Sequence, residues 1–218
     1  MRQTTRWQFE CSMIGLYESV GGITDKEAAA YWKNPFVGIE IAESYNNIIS
    51  EDFFRFRRDG ITCSGRAQMF TGSRTWWRSD FSFGAGKKIG PLFLHGNTLL
   101  LLGNSLNIVN QFLAGGSWDI LGAGVLYGYR YAEFRLSRAL LVNGGTDVEL
   151  FDSVELGIRA AYLNSPAKTT YGECVRISSM WHGINVNAGI SFPEDALIRG
   201  AVDNAIAFAG ITAAIFEP

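Results

Sequence analysis

The chain has 218 residues, 47% of them apolar and 18% charged, with a formal net charge of −2. That length predicts a single domain over 1–218 with ample material for a core, and the near-neutral charge excludes a general attraction to nucleic acid or to acidic membranes. Three cysteines far apart in sequence, Cys11, Cys63 and Cys174, argue against a disulfide framework and for free thiols in a core.

The first ten residues lack the apolar run and small-residue cleavage site of a secretory signal. The expectation is cytoplasmic synthesis, with the chain staying where it is made or entering a virion or another assembly. Residues 6–13 alternate, with Trp7, Phe9, Cys11 and Met13 opposed to Arg6, Gln8, Glu10 and Ser12. That period of two predicts a half-buried strand. Thr24-Asp25-Lys26-Glu27 fits a capping box, and the alanines at 28–30 predict a helix that Asn34-Pro35 ends. Val37, Ile41, Tyr45 and Ile48 fit a second helix, while Ile39 and Ile41 fit a short strand equally well. Residues 51–58, 61–69 and 77–83 then alternate, with turn signals at Asp59-Gly60 and at Thr71-Gly72-Ser73. Together they predict an antiparallel meander.

From 89 to 118 there is no charged residue, a run long enough to cross a bilayer. Asn97, Asn104, Asn107, Asn110 and Gln111 interrupt it. Leu99, Leu102, Leu106, Val109 and Leu113 fall at spacings of three and four, which predicts an amphipathic helix with an uncharged polar face. Strands are expected at 118–127 and 128–136, where Gly122, Gly124 and Gly128 suggest bulges or close packing, and a turn at Asn143-Gly144-Gly145. The clearest alternation follows, in Val154 to Tyr162, in Val175 to Trp181 and in Ile184 to Phe192. From Pro193 the period lengthens. Asp195, Arg199 and Asp203 would form the exposed face of a final helix, and Ile198, Val202, Ala205 and Ala209 its buried stripe. Residues 211–216 would form a short apolar strand or anchoring tail.

Catalytic signatures are missing. His95 and His182 have no metal-ligand spacing, and a Cys174–His182 nucleophile–base pair would require the fold to bring them together. Gly84-Ala85-Gly86-Lys87-Lys88 lacks the first glycine and the hydroxyl residue of a phosphate loop and reads as a solvated turn. Gly122-Ala123-Gly124 with Gly128 misplaces the third glycine of a dinucleotide fingerprint. No catalytic residue, cofactor or metal is assigned, and an enzyme is not the expected class.

The most suggestive surface interleaves arginines with aromatics: Arg55, Arg57, Arg66, Trp76, Trp77 and Arg78. Such a patch suits the centre of a protein–protein contact or, less favoured, a single-stranded nucleic acid. If these arginines share a face they need counter-charge, which the local acids Glu51, Asp52 and Asp59 are too few to supply. The expected fold is α+β: a mostly antiparallel sheet, sandwich-like or barrel-like, with two or three packed helices. The expected function is a structural subunit that assembles with copies of itself or with neighbours. Alternatives are a membrane β-barrel, in which strands such as 154–162 offer an apolar lipid face and a polar lumen, and a ligand-binding or enzymatic barrel with a pocket the motifs do not flag. The membrane is the less expected partner.

Overall fold

A computed structural model of the chain describes residues 2–16, 36–50, 59–72, 75–106, 110–117, 124–151, 153–181, 184–194 and 204–213. Ten long strands form one antiparallel sheet. They are β1 (Arg2–Leu16), β2 (Phe36–Ser50), β3 (Asp59–Thr71), β4 (Trp76–Ile89), β5 (Leu92–Asn104), β8 (Ala139–Phe151), β9 (Val154–Asn164), β10 (Thr169–Trp181), β11 (Ile184–Pro193) and β12 (Ile206–Ala213). Each pairs with the next in that order. Two short strands, β6 (Phe112–Ala114) and β7 (Phe134–Leu136), pair with each other inside the long connection between β5 and β8.

The expected α+β fold is corrected: the described residues form an almost all-β protein with no packed helix. Of the stripe read as a helix, Leu99 and Leu102 lie in β5 and Leu113 in β6, Leu106 lies between the strands, and Val109 lies outside the described residues. A run such as Leu99–Leu102 is apolar on both faces of a strand, so its spacing cannot separate period two from period 3.6. Residues 37–48 take the strand alternative, and the end of the predicted final helix is β12. Asn143-Gly144-Gly145 is not a turn but the middle of β8, and 84–88 belongs to β4. Asp59-Gly60 opens β3 and pairs with Ile49 and Ile48, so the neighbour of β3 on that side is β2. The predicted helix at 24–34, the predicted strand at 51–58 and residues 195–203 lie outside the described residues.

Because side chains alternate along a strand, the register divides the sheet into two faces. Trp7, Tyr45, Cys63, Phe83, Thr98, Val142, Tyr162 and Tyr171 are successive partners across eight strands on one face. Among the described residues every exposed large apolar side chain on a strand belongs to this bare face, from Phe9 (72% exposed) through Phe81 and Ile158 (60%) to Ile211. Cys11 and Cys63 are exposed here too, so only Cys174 is the buried thiol expected of all three. The other face carries Glu40, Gln68, Arg78, His95, Asp147, Arg159 and Arg176.

The described residues of the connection between β5 and β8 (105–106, 110–117 and 124–138, the segment 105–138 below) fold over that second, covered face. Ala114, Leu126, Tyr127, Tyr129 and Leu136 pack there against Leu101, Ala139, Leu141, Ala161, Leu163 and Cys174, forming the main apolar core. Burial of each large side chain here contributes about 2 kcal/mol. Backbone bonds brace the segment internally, Gly115 to Gly124 at 2.9 Å and Leu126 to Gly116 at 3.1 Å. Its seat requires glycine on the sheet: a Cβ at Gly172 would lie 1.7 Å from the Tyr127 carbonyl oxygen. Gly172→Ala is therefore expected to lift the segment and cost about 2 kcal/mol. Denaturant unfolding would measure the loss, and limited proteolysis should find new cleavage within 105–138 while the strands stay protected.

At one rim two residues each separate β4 from β5, β8 from β9 and β10 from β11, and eight separate β2 from β3; at the other, four each separate β3 from β4 and β9 from β10, and longer stretches separate β1 from β2, β5 from β8 and β11 from β12. β1 begins and β12 ends at the first rim, where Arg2 pairs with Ser50 and Ala213 with Ile184.

Candidate functional site

Four strands in a row deliver one charged cluster to the covered face. His95 of β5, Asp147 of β8, Arg159 of β9 and Arg176 of β10 meet at a single carboxylate oxygen. Asp147 Oδ2 lies 2.7 Å from Arg159 Nη2, 3.2 Å from His95 Nε2 and 3.4 Å from Arg176 Nη2. Asp147 is 1% exposed. The register explains the convergence: Gly145 stands opposite both His95 and Arg159, and Gly157 opposite both Asp147 and Arg176. A Cβ on Gly157 would lie 1.9 Å from Asp147 Oδ1, so the carboxylate reaches across only because that position is bare.

Neighbouring groups extend the cluster. Lys88 pairs with Glu149 at 3.0 Å, and Ser178 donates to Asn187 at 2.6 Å. Tyr127 descends from the covering segment beside Arg159. Burial pushes its phenol above the ordinary value, opposed by the guanidinium next to it. Burial raises Tyr129 likewise, against its hydrogen bond to Thr170. Next to the cluster lies a cavity of about 270 Å³ whose walls include Thr62, Phe93, His95, Asn97 and Arg159. Phe93 stacks against the His95 ring at 5.4 Å.

The residues singled out from sequence divide between the faces. Arg66 and Arg78 both lie on the covered face, with counter-charge from within the chain. Arg66 pairs with Asp80 at 3.1 Å. Arg78 donates to Gln68, and Gln68 to Glu40, along a row of direct cross-strand partners. Arg78 also reaches the Asn110 carbonyl at 3.4 Å and lies 5.9 Å from the Phe112 ring centre, linking β4 to the covering segment. Trp76 is buried on the covered face and stacks on Phe70 at 4.3 Å, while Trp77 points to the bare face. Adjacent positions on a strand cannot share a face, so the two tryptophans do not form one patch. Arg55 and Arg57 lie outside the described residues.

Cys174 is fully buried between Arg159 and Ser191, and its proposed partner His182 lies outside the described residues. Among the described residues no cluster of His, Cys, Asp and Glu suits a metal ion. The Asp147 cluster escaped sequence reasoning because its members sit at 95, 147, 159 and 176, with no fixed spacing. The turn expected at 143–145 also hid the strand that carries Asp147. The signal available was the polar row of β9, in which Arg159 alternates with apolar neighbours. No protein-family description, curated protein or solved structure matches the chain.

Proposed function

We propose that the chain is an integral membrane β-barrel. The ten-stranded sheet closes on itself, the bare face meets lipid, and the covered face lines a polar interior partly filled by the segment 105–138. One observation carries this reading: large apolar side chains stay exposed along one face of all ten strands, while charged groups as buried as Asp147 and Glu155 occupy the other. A water-soluble sheet places its apolar face in the core; a membrane barrel inverts that order, because lipid replaces the core. Long antiparallel strands satisfy their backbone groups by pairing, which the hydrocarbon region demands; the outer edges of β1 and β12, which have no strand partner among the described residues, would pair with each other on closure. A barrel of this strand number fills much of its interior with side chains, so the interior serves as a lined compartment in place of a wide pore.

A structural subunit is the second reading, favoured by Glu43, Asp59, Lys87 and Glu173, charged residues on the mostly apolar bare face. Copies packed face to face would cover the same apolar side chains. Adjacent tryptophans separate the readings. In single-tryptophan variants reconstituted into vesicles, brominated acyl chains are expected to quench Trp77 strongly and to spare Trp76. Equal quenching of both, or a discrete oligomer that stays soluble without detergent, would overturn the membrane reading.

A further inference from the structure

We infer that the covered face holds a binding site for a small oxyanion, of the size of phosphate or a short carboxylate, in the cavity beside Arg159. The inference goes beyond the membrane reading and does not depend on what meets the bare face. The cavity of about 270 Å³ lies at the rows of Asn97 and His95, close to the lower size limit of small-ligand pockets. Its walls combine a guanidinium, an imidazole, an amide and a hydroxyl from Arg159, His95, Asn97 and Thr62, with glycines between them at 60, 84, 86 and 96. Gly60, Gly84 and Gly86, on two strands, leave the covered face bare there and let a ligand approach the sheet closely.

Arg159 is the anchor. Its Nη2 donates to Asp147, but its Nε is buried and makes no hydrogen bond among the described residues. Arg176 Nε is likewise buried without a partner among the described residues, but Arg176 does not line the cavity. A buried donor without an acceptor costs about 1–3 kcal/mol, and a guanidinium fork matches an oxyanion in two-point geometry. One carboxylate, Asp147, serves two guanidiniums and an imidazole through a single oxygen.

The acids nearby do not compete for the cavity. Glu149 and Glu155 face each other one step beyond Asp147, on the side away from the Asn97 and His95 rows. Asp59, at the cavity wall, already accepts from Lys87 Nζ at 2.9 Å and from the Lys88 backbone nitrogen. An oxyanion is the ligand class that suits the guanidinium, amide and hydroxyl donors of the residues lining the cavity.

The test is equilibrium binding of inorganic phosphate and of acetate to the purified full chain in mild detergent, with choline chloride as the ionic control. Saturable binding is expected for phosphate, weaker binding for acetate, and none for choline. Asn97→Leu and Thr62→Val remove cavity donors without touching the ion pairs, and each is expected to weaken phosphate about tenfold. Arg159→Gln should abolish binding, and Arg66→Gln, remote from the cavity, should leave it unchanged. If wild type shows no saturable phosphate or acetate binding, or if Asn97→Leu and Thr62→Val bind as wild type does, the site does not exist.

Discussion

Asp147→Asn is expected to cost about 3–5 kcal/mol of stability. The substitution keeps the shape that fits over Gly157 and removes only the charge. Arg159 and Arg176 would then lie side by side in the interior with no anion between them, and the amide would present a donor toward one of the guanidiniums. Breaking a buried pair from one side is costly because it strands the partner, whatever the intact pair is worth. Asp80→Asn supplies the comparison, since its partner Arg66 is 46% exposed and pairs of that kind contribute about 0–1 kcal/mol. Reversible denaturant unfolding of both variants under the same conditions should show the Asp147 variant far the weaker. Adding Arg176→Met to Asp147→Asn should recover part of the loss by removing one stranded cation. Equal costs for Asp147→Asn and Asp80→Asn would show that the cluster does not hold the four strands together.

Ile158→Arg is expected to cost about 2–4 kcal/mol when the protein is unfolded from a bilayer. Ile158 sits near the middle of β9 on the bare face, opposite Thr146 of β8 and Val175 of β10. If lipid surrounds that position, the new charge must be drawn from water into hydrocarbon. If water surrounds it, an exposed surface substitution changes stability by about 0.5 kcal/mol or less. Glu43→Leu should act in the opposite direction, since it removes an acid from the same face. Unfolding from vesicles, measured for both variants against wild type, gives opposite signs under the membrane reading. Near-zero changes for both would place the bare face in water. A loss in both, together with loss of an oligomer, would place it between copies of the chain.

Alternation was legible in the residues themselves. Period two in 6–13, 61–69, 77–83, 154–162 and 184–192 placed β1, β3, β4, β9 and β11, because side chains on a pleated strand must alternate whatever the strand packs against. The same rule fixes which residues share a face: Val154, Leu156, Ile158 and Tyr162 on one, Glu155 and Arg159 on the other. Alternation does not say which face is inside. The apolar row of β9 would be core in a water-soluble sheet, and only the tertiary structure leaves it bare and buries Asp147 and Glu155 instead. The leucines of β5 and the glycines of β8 were misread for a related reason. Leu99 and Leu101 pack under the segment 105–138 while Leu100 lies on the bare face, so both faces of that strand are apolar and its period vanishes. Gly144 and Gly145 resemble a turn until the neighbouring strands show that Gly145 stands between His95 and Arg159, where a side chain would meet Arg159. The charged cluster was beyond any local pattern. Its four residues span 82 positions in sequence, from His95 to Arg176, and meet only because the connection after β5 returns the chain to pair β8 beside it. That non-local pairing, beside which Leu126, Tyr127 and Leu136 pack over the sheet, is what turns separate polar residues into a site.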